Sequence, residues 1–371
     1  MLMATRSLVE TELRLRVRRD CPRVKAFSGA VVEGLTMAPG DGGAAQGRVT
    51  GVKLRGGRVV PADLVVDASG RGSRTPEWLE AAGCATPDTV TVDSRLVYTS
   101  AVYELDPATH PGIHPVMVFT QPPDSRSGML LPIEGGRHHL ILTGRLGERC
   151  EGTDEAITQF AEDMPHPSLA TALRGAKRIG DIRMYERTAN FRRKYEEIDL
   201  PGGLVVLGDG VCAFNPVGQG MSVAVLEAVA LGKQLEGALH SSARATPDAA
   251  PDASAQWLTA ARGALPSATR TFMRGVGGLV AIPWALATGS DAVYVAGFEH
   301  TPTEKMINHI FMQISRMSRT DADAHATMMK VMHMLEPPAA LTSPKMLLKL
   351  LVHTIRTALG GGGSRQGAGT A

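Results

Sequence analysis

The sequence predicts a mixed α/β, α+β fold. One α/β domain comes in two separated pieces, an antiparallel β-sheet is inserted between them, and a helical region follows. Three observations predict it. Two short apolar strands, ADLVVDASG (62–70) and GLVVLGD (203–209), each lead into an aspartate and a glycine. Strands buried on both faces of a parallel sheet read this way. Between them, residues 89–146 fall into strand-like runs separated by turn residues. After them, residues 257–359 read as helix, and eight of the 17 methionines lie between 301 and 350.

Taken in order, residues 6–19 place Leu8, Val9, Leu13 and Val17 in a 3.6-residue rhythm with arginines on the other face. This predicts a helix that Pro22 ends. Residues 24–60 read as four short strands, VKAF, AVVEGL, RVTGVKL and RVV. The Gly/Asp-rich segments 38–47 and 55–57 between them make this a small antiparallel meander. PEWLEAAG (76–83) is a short helix with Pro76 in its first turn and Gly83 past its end. TVTVDSRLVYTSAVYEL, HPVMVFTQ, GMLLPIE and RHHLILTGRL form the second sheet. DEAITQFAEDM and SLATALRGA are helices, and IRMYERTAN is a further strand. NPVGQGMSVAVLEAVALGKQLEGALH opens as a Pro/Gly-rich loop and becomes a long helix. The expected organisation is a discontinuous first domain (1–86 and 191–240), an inserted sheet domain (87–190) and a linker rich in Ala, Pro, Asp and Ser (241–256). A helical region (257–359) and a disordered Gly-rich tail (360–371) follow.

Composition narrows the function. The 39 basic and 37 acidic side chains leave a formal charge of +2, and aromatics make up 4% of 371 residues. Neither a basic footprint nor stacking platforms for nucleic acid follow. Cys21, Cys84, Cys150 and Cys212 are far apart, so no CxxC pair exists for zinc, redox or iron–sulfur chemistry. His138 and His139 are neighbours in a strand and face opposite sides, which prevents a shared metal. The first twenty residues lack an apolar core for a signal peptide, and no 18-residue apolar run occurs. The chain is therefore expected to be cytoplasmic, with no membrane span and no metal; the oligomeric state stays open. The 41 glycines exceed the usual ~7%, which points to tight loops.

The chemistry concentrates in GLVVLGDGVCAFNPVGQGMSVAVLEAVALGKQL (203–235). An apolar strand delivers Gly208 and Asp209 at its carboxyl end, the edge of an α/β sheet where ligands bind. Asp209 is a carboxylate available to a sugar hydroxyl, and Gly208 lets the backbone come close. Pro216, Gly218, Gln219, Gly220 and Met221 then border a helix start without an acidic residue. Free N–H groups and the positive end of a helix dipole suit an anion or an electron-rich ring edge.

These segments resemble the flavin-dependent monooxygenases of the p-hydroxybenzoate hydroxylase fold, with their epoxidase and geranylgeranyl-reductase-like relatives. The resemblance rests on the GD pair (208–209) with its PVGQG continuation (216–220), on DASGRGSRT (67–75), and more weakly on TRSLVETELRLRV (5–17). It covers about residues 5–240. It implies an FAD-binding Rossmann-like domain with an inserted substrate sheet. It also implies FAD contacts at Gly208, Asp209, Pro216, Gly218, Gln219, Gly220, Met221, Asp67, Gly70 and Arg6, with Ser73 and Arg74 beside them. By the same resemblance the activity is that of an FAD-dependent monooxygenase, a hydroxylase or epoxidase working through a flavin C4a-hydroperoxide. Molecular oxygen, an apolar small-molecule substrate and NAD(P)H as electron donor complete the expectation. The residues after the GD pair, Gly210, Val211 and Cys212, depart from the family's usual Ala-His.

The larger departure is at the front. The family opens with a strand, a GxGxxG loop and a helix about a hundred residues before the segment matching Thr5, and no GxGxxG occurs in this sequence. GRGSRT (70–75) imitates it only superficially, because Thr75 and Pro76 stand where a glycine is needed. The FAD-binding domain is thus expected to be incomplete, missing its N-terminal βαβ unit. Two alternatives stay open: a flavin-dependent reductase or dehydrogenase of prenyl or polyketide substrates, and a non-catalytic flavoprotein-like remnant. No residue stands out as a catalytic acid or base.

Overall fold

The computed structural model describes residues 3–39, 47–106, 108–110, 115–120, 122–186, 188–215, 219–244, 253–299 and 301–360. The chain opens with helix α1 (Arg6–Asp20) and a three-stranded antiparallel meander, β1 (Val32–Ala38), β2 (Arg48–Leu54) and β3 (Val59–Pro61). Strand β4 (Val65–Asp67) and helix α2 (Thr75–Ala81) follow. Next come β5 (Thr89–Val92), β6 (Val97–Glu104), β7 (Val116–Val118), β8 (Arg126–Ile133) and β9 (Arg137–Gly144). Helices α3 (Asp154–Glu162) and α4 (Ser168–Leu173) precede β10 (Lys177–Tyr185), β11 (Asn190–Arg193), β12 (Leu204–Val206) and β13 (Cys212–Ala213). The remainder is helical: α5 (Gly220–Arg244), α6 (Ala253–Ala292), α7 (Pro302–Met317), α8 (Ala322–Met332) and α9 (Pro344–Gly360).

The two aspartate-ending strands do pair in parallel, with Leu204 opposite Val65 and Val206 opposite Asp67. All three residues of β12 are buried, which their apolar run dictates. The inserted sheet is antiparallel, in the order β10-β6-β9-β8-β7. One of its faces buries Ala101, Tyr103, Leu130, Leu140 and Leu142 against Ile157 and Phe160 of α3 and Leu169 of α4. A third sheet, β13-β11-β5, joins the segment after the GD pair to the chain before and after the inserted sheet.

Several expectations change in detail. VKAF (24–27) forms no strand, and Val24 and Phe27 are exposed. IRMYERTAN divides between β10, which starts earlier at Lys177, and β11, which starts at Asn190. The 241–256 linker narrows: 241–244 continue α5, 253–256 open α6, and 245–252 lie outside the described residues. Of the 360–371 tail, Gly360 ends α9 and the rest lies outside the described residues. Helix α1 buries none of its residues, although Leu8, Leu13 and Val17 keep the expected rhythm. Leu15, roughly 200° around the helix from Leu13, is also exposed, so α1 has no single apolar face.

Helix α6 is not set apart from the first core. Phe272, Met273, Val276, Val280 and Trp284 of α6 pack with Val205, Val206, Val211 and Val223. Thr269 explains the register, because its Oγ accepts the Gly203 N–H at 3.0 Å just before β12. Helices α7 to α9 build their own cluster from Ile314, Met317, Met328, Val331 and Met346. Methionine suits this irregular packing.

One glycine is tied to backbone packing in the inserted sheet. A Cβ on Gly144 would meet the backbone of Glu148, whose carbonyl carbon would lie 2.7 Å away. Backbone cannot rotate aside as a side chain does. Gly144→Ala is expected to cost about 1–3 kcal/mol, read as a lower denaturation midpoint; an unchanged midpoint would contradict this packing.

Candidate functional site

The parallel pair β4/β12 places two turns side by side. Gly70–Gly72 and Gly208–Gly210 both form short 3-10 turns just beyond the strand ends. Gly70 (φ +79°) and Gly208 (φ +61°) take the left-handed conformation that glycine tolerates best. A Cβ on Gly70 would lie 3.9 Å from the Cβ of Asp209, and one on Gly220 would lie 3.2 Å from Asp209 Oδ1. Asp209 thus sits between two glycines, one on the 70–72 turn and one at the start of α5. Gln219 also has positive φ (+56°), and its carbonyl accepts the N–H groups of Ser222 and Val223 to start α5. The first turn of α5 holds no acidic residue.

Asp209 is half-buried. Burial pushes its carboxyl above the usual range, and the positive charges of Arg71 and Arg6 oppose that shift. Arg71 reaches across the site: Nη1 donates to the Ala189 carbonyl at 2.7 Å and Nη2 to the Phe214 carbonyl at 2.5 Å. Its guanidinium also lies 5.4 Å from the centre of the Phe191 ring. Arg71 therefore fixes the chain entering 216–218 while holding a positive charge near Asp209. Arg193 repeats the device by donating to the Gly210 carbonyl at 2.9 Å.

Arg6 is exposed and pairs with Glu10 at 2.6 Å. Its helix start is tied to the inserted sheet, because Thr5 N–H donates to Glu134 Oε2 at 2.9 Å. From that sheet comes Tyr98, whose hydroxyl burial pushes up, with Arg6 and Arg71 pulling it down. Tyr98 stacks on Tyr185 with ring centres 4.5 Å apart.

The remaining sequence candidates separate. Asp67 turns inward. Its Oδ1 accepts from the Ser69 N–H (2.9 Å) and Ser69 hydroxyl (2.5 Å), and its Oδ2 from Ser73 (2.6 Å) and Thr75 (2.5 Å). It therefore shapes the 67–75 turn from beneath. Arg74 and Met221 are exposed. Pro216 and Gly218 lie outside the described residues, between Asn215 and Gln219.

Sequence reading missed three participants. Arg71 was hidden inside GRGSRT. Glu227 was hidden in the α5 run SVAVLEAVAL, where one acid interrupts apolar residues; its Oε2 accepts the Gly208 N–H at 2.5 Å. The third is a buried cluster that includes Asn215. Asp291 of α6 accepts from Arg145 Nε (3.2 Å), Asn190 Nδ2 (2.8 Å) and Asn215 Nδ2 (2.7 Å). Nothing in the sequence links four residues spread over 146 positions. A groove of about 600 Å³ between α5 and α6, lined by Lys233, Gln234 and Ala268 among others, is not part of this site. Lys233 stands roughly 20 Å along α5 from Gly220.

With this geometry, solved structures of known proteins align along most of the chain. A triple mutant of the flavin-dependent brominase Bmp2 aligns over 93% of this chain and 74% of its own, at 14% identity and a TM-score of 0.53. The chain shares the fold of this flavin-dependent enzyme. A second structure with this likeness is PqsL of P. aeruginosa in complex with 2-aminobenzoylacetate, at 18% identity over 76% of this chain and 69% of its own, with a TM-score of 0.49. By sequence, the chain is 32% identical over 180 residues to Protein Rv3254 of Mycobacterium tuberculosis. That stretch is 48% of this chain and spans only 38% of the relative's length. No protein-family model matches the sequence. Among the described residues, no helix is long and apolar enough to cross a membrane.

Proposed function

We propose that the protein is an FAD-dependent monooxygenase, a hydroxylase or epoxidase of an apolar small molecule in the cytoplasm, with NAD(P)H as electron donor and oxygen as co-substrate. The observation that carries this reading is the meeting of Asp209, Gly70 and Gly220 at the start of α5, within a fold shared with a flavin-dependent enzyme.

The described residues fit the sugar and polyol portion of FAD. Asp209 offers a desolvated acceptor for ribityl or ribose hydroxyls. The two glycines leave room for close approach, and Arg71 adds positive charge. The N–H groups opening α5 would favour an electron-rich ring edge. Pro216, Gly218, Gln219 and Met221 would border it. Gly208 would allow the backbone to approach, Asp67 would hold the turn beneath, and Arg6 would approach from α1. When bound, the flavin would accept hydride from NAD(P)H and activate oxygen. The chain's own task is to bind and orient the cofactor and to cover it with the sheet that carries Tyr98 and Tyr185. No acid or base is assigned.

The test is direct. Purified protein mixed with FAD and desalted should keep flavin absorbance. Asp209→Ala should weaken FAD binding about tenfold to a hundredfold, the loss of one or two hydrogen bonds to a charged group. A wild-type protein that passes through desalting colourless would overturn the reading. NAD(P)H oxidation that consumes oxygen supports the monooxygenase; oxidation without oxygen uptake supports a reductase.

A further inference from the structure

The GD turn rests on a group that plays no part in the reading above. Gly208 opens the turn two residues beyond β12, and its N–H points to Glu227 on α5, whose Oε2 receives it at 2.5 Å. Glu227 lies seven residues beyond Gly220, about two turns into the helix. Helical side chains lean toward the N-terminus, which brings this one back under the turn. The residue is fully buried, and its Oε1 has no hydrogen-bond partner. A buried carboxyl with one idle oxygen is costly in an apolar helix, so packing alone does not account for an acid here. It supplies the acceptor that the Gly208 N–H, at φ +61°, would otherwise lack.

We propose that Glu227 is the positioning residue that presents Asp209 to a hydroxyl-bearing ligand, acting through the Gly208 N–H. Without that bond the left-handed turn at Gly208 loosens, and the adjacent carboxylate loses its fixed direction. The charged group that acts on Glu227 is Asp209 in the turn, and Glu227 in turn raises the neighbouring Cys212 thiol on β13. Burial, with Asp209 adding repulsion, pushes the Glu227 carboxyl up to about 7, and the Gly208 N–H partly offsets this. The sign follows. In the unfolded chain Glu227 ionises near its ordinary value of 4.5, while in the folded chain it stays protonated to about 7. The folded state therefore loses stability as pH rises from about 4.5 to about 7, and the loss is constant above that.

The inference borrows only its probe, FAD, from the proposed function. The experiment compares wild type, Glu227→Gln and Glu227→Leu by FAD titration, by melting from pH 5 to 8, and by amide exchange at Gly208. Gln keeps an acceptor for the N–H; Leu removes it without adding charge. Expected results are FAD binding about tenfold weaker in the Leu variant and within about threefold of wild type in the Gln variant. The melting advantage of Gln over wild type should grow between pH 5 and 7. Gly208 exchange should be fastest in the Leu variant. If the Leu variant binds FAD as wild type does, the proposal is overturned. If wild type itself binds no FAD, the functional reading has failed separately, and Gly208 exchange decides: faster in Leu than in Gln supports positioning, and equal rates overturn it.

Discussion

Asp291→Ala is expected to lower stability by about 3–5 kcal/mol, the largest loss we anticipate from a single side chain. Asp291 is 1% exposed, and it is the shared acceptor for Arg145, Asn190 and Asn215. Removing it leaves a guanidinium buried without its counter-charge, and an uncompensated buried ion costs far more than a surface pair. The Arg145 stack on Tyr294, 5.1 Å from the ring centre, cannot replace that charge. A typical domain holds about 5–15 kcal/mol in total, so the variant should melt much lower or fail to fold. The same change removes the acceptor of the Asn215 side-chain amide, while the Asn215 N–H stays on Asn190 at 2.6 Å. In a variant that still folds, FAD binding should therefore weaken as well. Urea denaturation is the check; a loss below about 1 kcal/mol would mean that Asp291 acts as an exposed charge would.

The second large effect belongs to Asp67. Asp67→Ala removes one acceptor from four donors, leaving the Ser73 and Thr75 hydroxyls in a buried turn without it. Hydrogen bonds to a charged group are worth about 1.5–3 kcal/mol each, though not additively, so a loss of about 3 kcal/mol or more is expected. The pH dependence has a definite sign. Burial pushes the Asp67 carboxyl up, but the bonds from Ser69, Ser73 and Thr75 outweigh it and hold the carboxyl below its ordinary value. A lowered value in the folded state means that the stabilisation is complete above the unfolded value of 3.8 and is lost as pH falls through the folded one. Asp67→Asn should therefore show a flatter decline in acid than wild type. Matching acid profiles would show that the four bonds do not depend on the charge.

The comparison of these two residues with Asp209 explains what could be read in advance. Asp67 and Asp209 were visible because each ends an apolar run and is followed by glycine, a local signature that survives in one dimension. Their divergence was not visible. Val206 and Asp67 lie opposite each other across the parallel pair, yet the Asp67 carboxylate is filled by hydroxyls two to eight residues ahead, while the Asp209 carboxylate lies between Gly70 and Gly220. Only the folded turn decides which carboxylate is consumed internally. Glu227 was legible in principle, as one acid in an apolar helix. The Arg145–Asp291 pair was not, because each residue looks ordinary among its own neighbours.

Apart from VKAF and the division of IRMYERTAN, the sequence by itself determined the kinds of element and their order. Those follow from hydrophobic period and from glycine and proline, which act over a few residues. It also placed Asp209 close in sequence to the start of α5, because strand, turn and helix follow one another there. Tertiary structure alone decided where α6 lies, that α1 stays outside every core, and which charges surround the site. Arg71, Tyr98, Asp291 and Arg6 come from four separate segments, and burial and electrostatics act through space and not along the chain. The Asp209 carboxyl is raised by burial, and Gly70 from a distant segment lies against it; no pattern within its own segment records that.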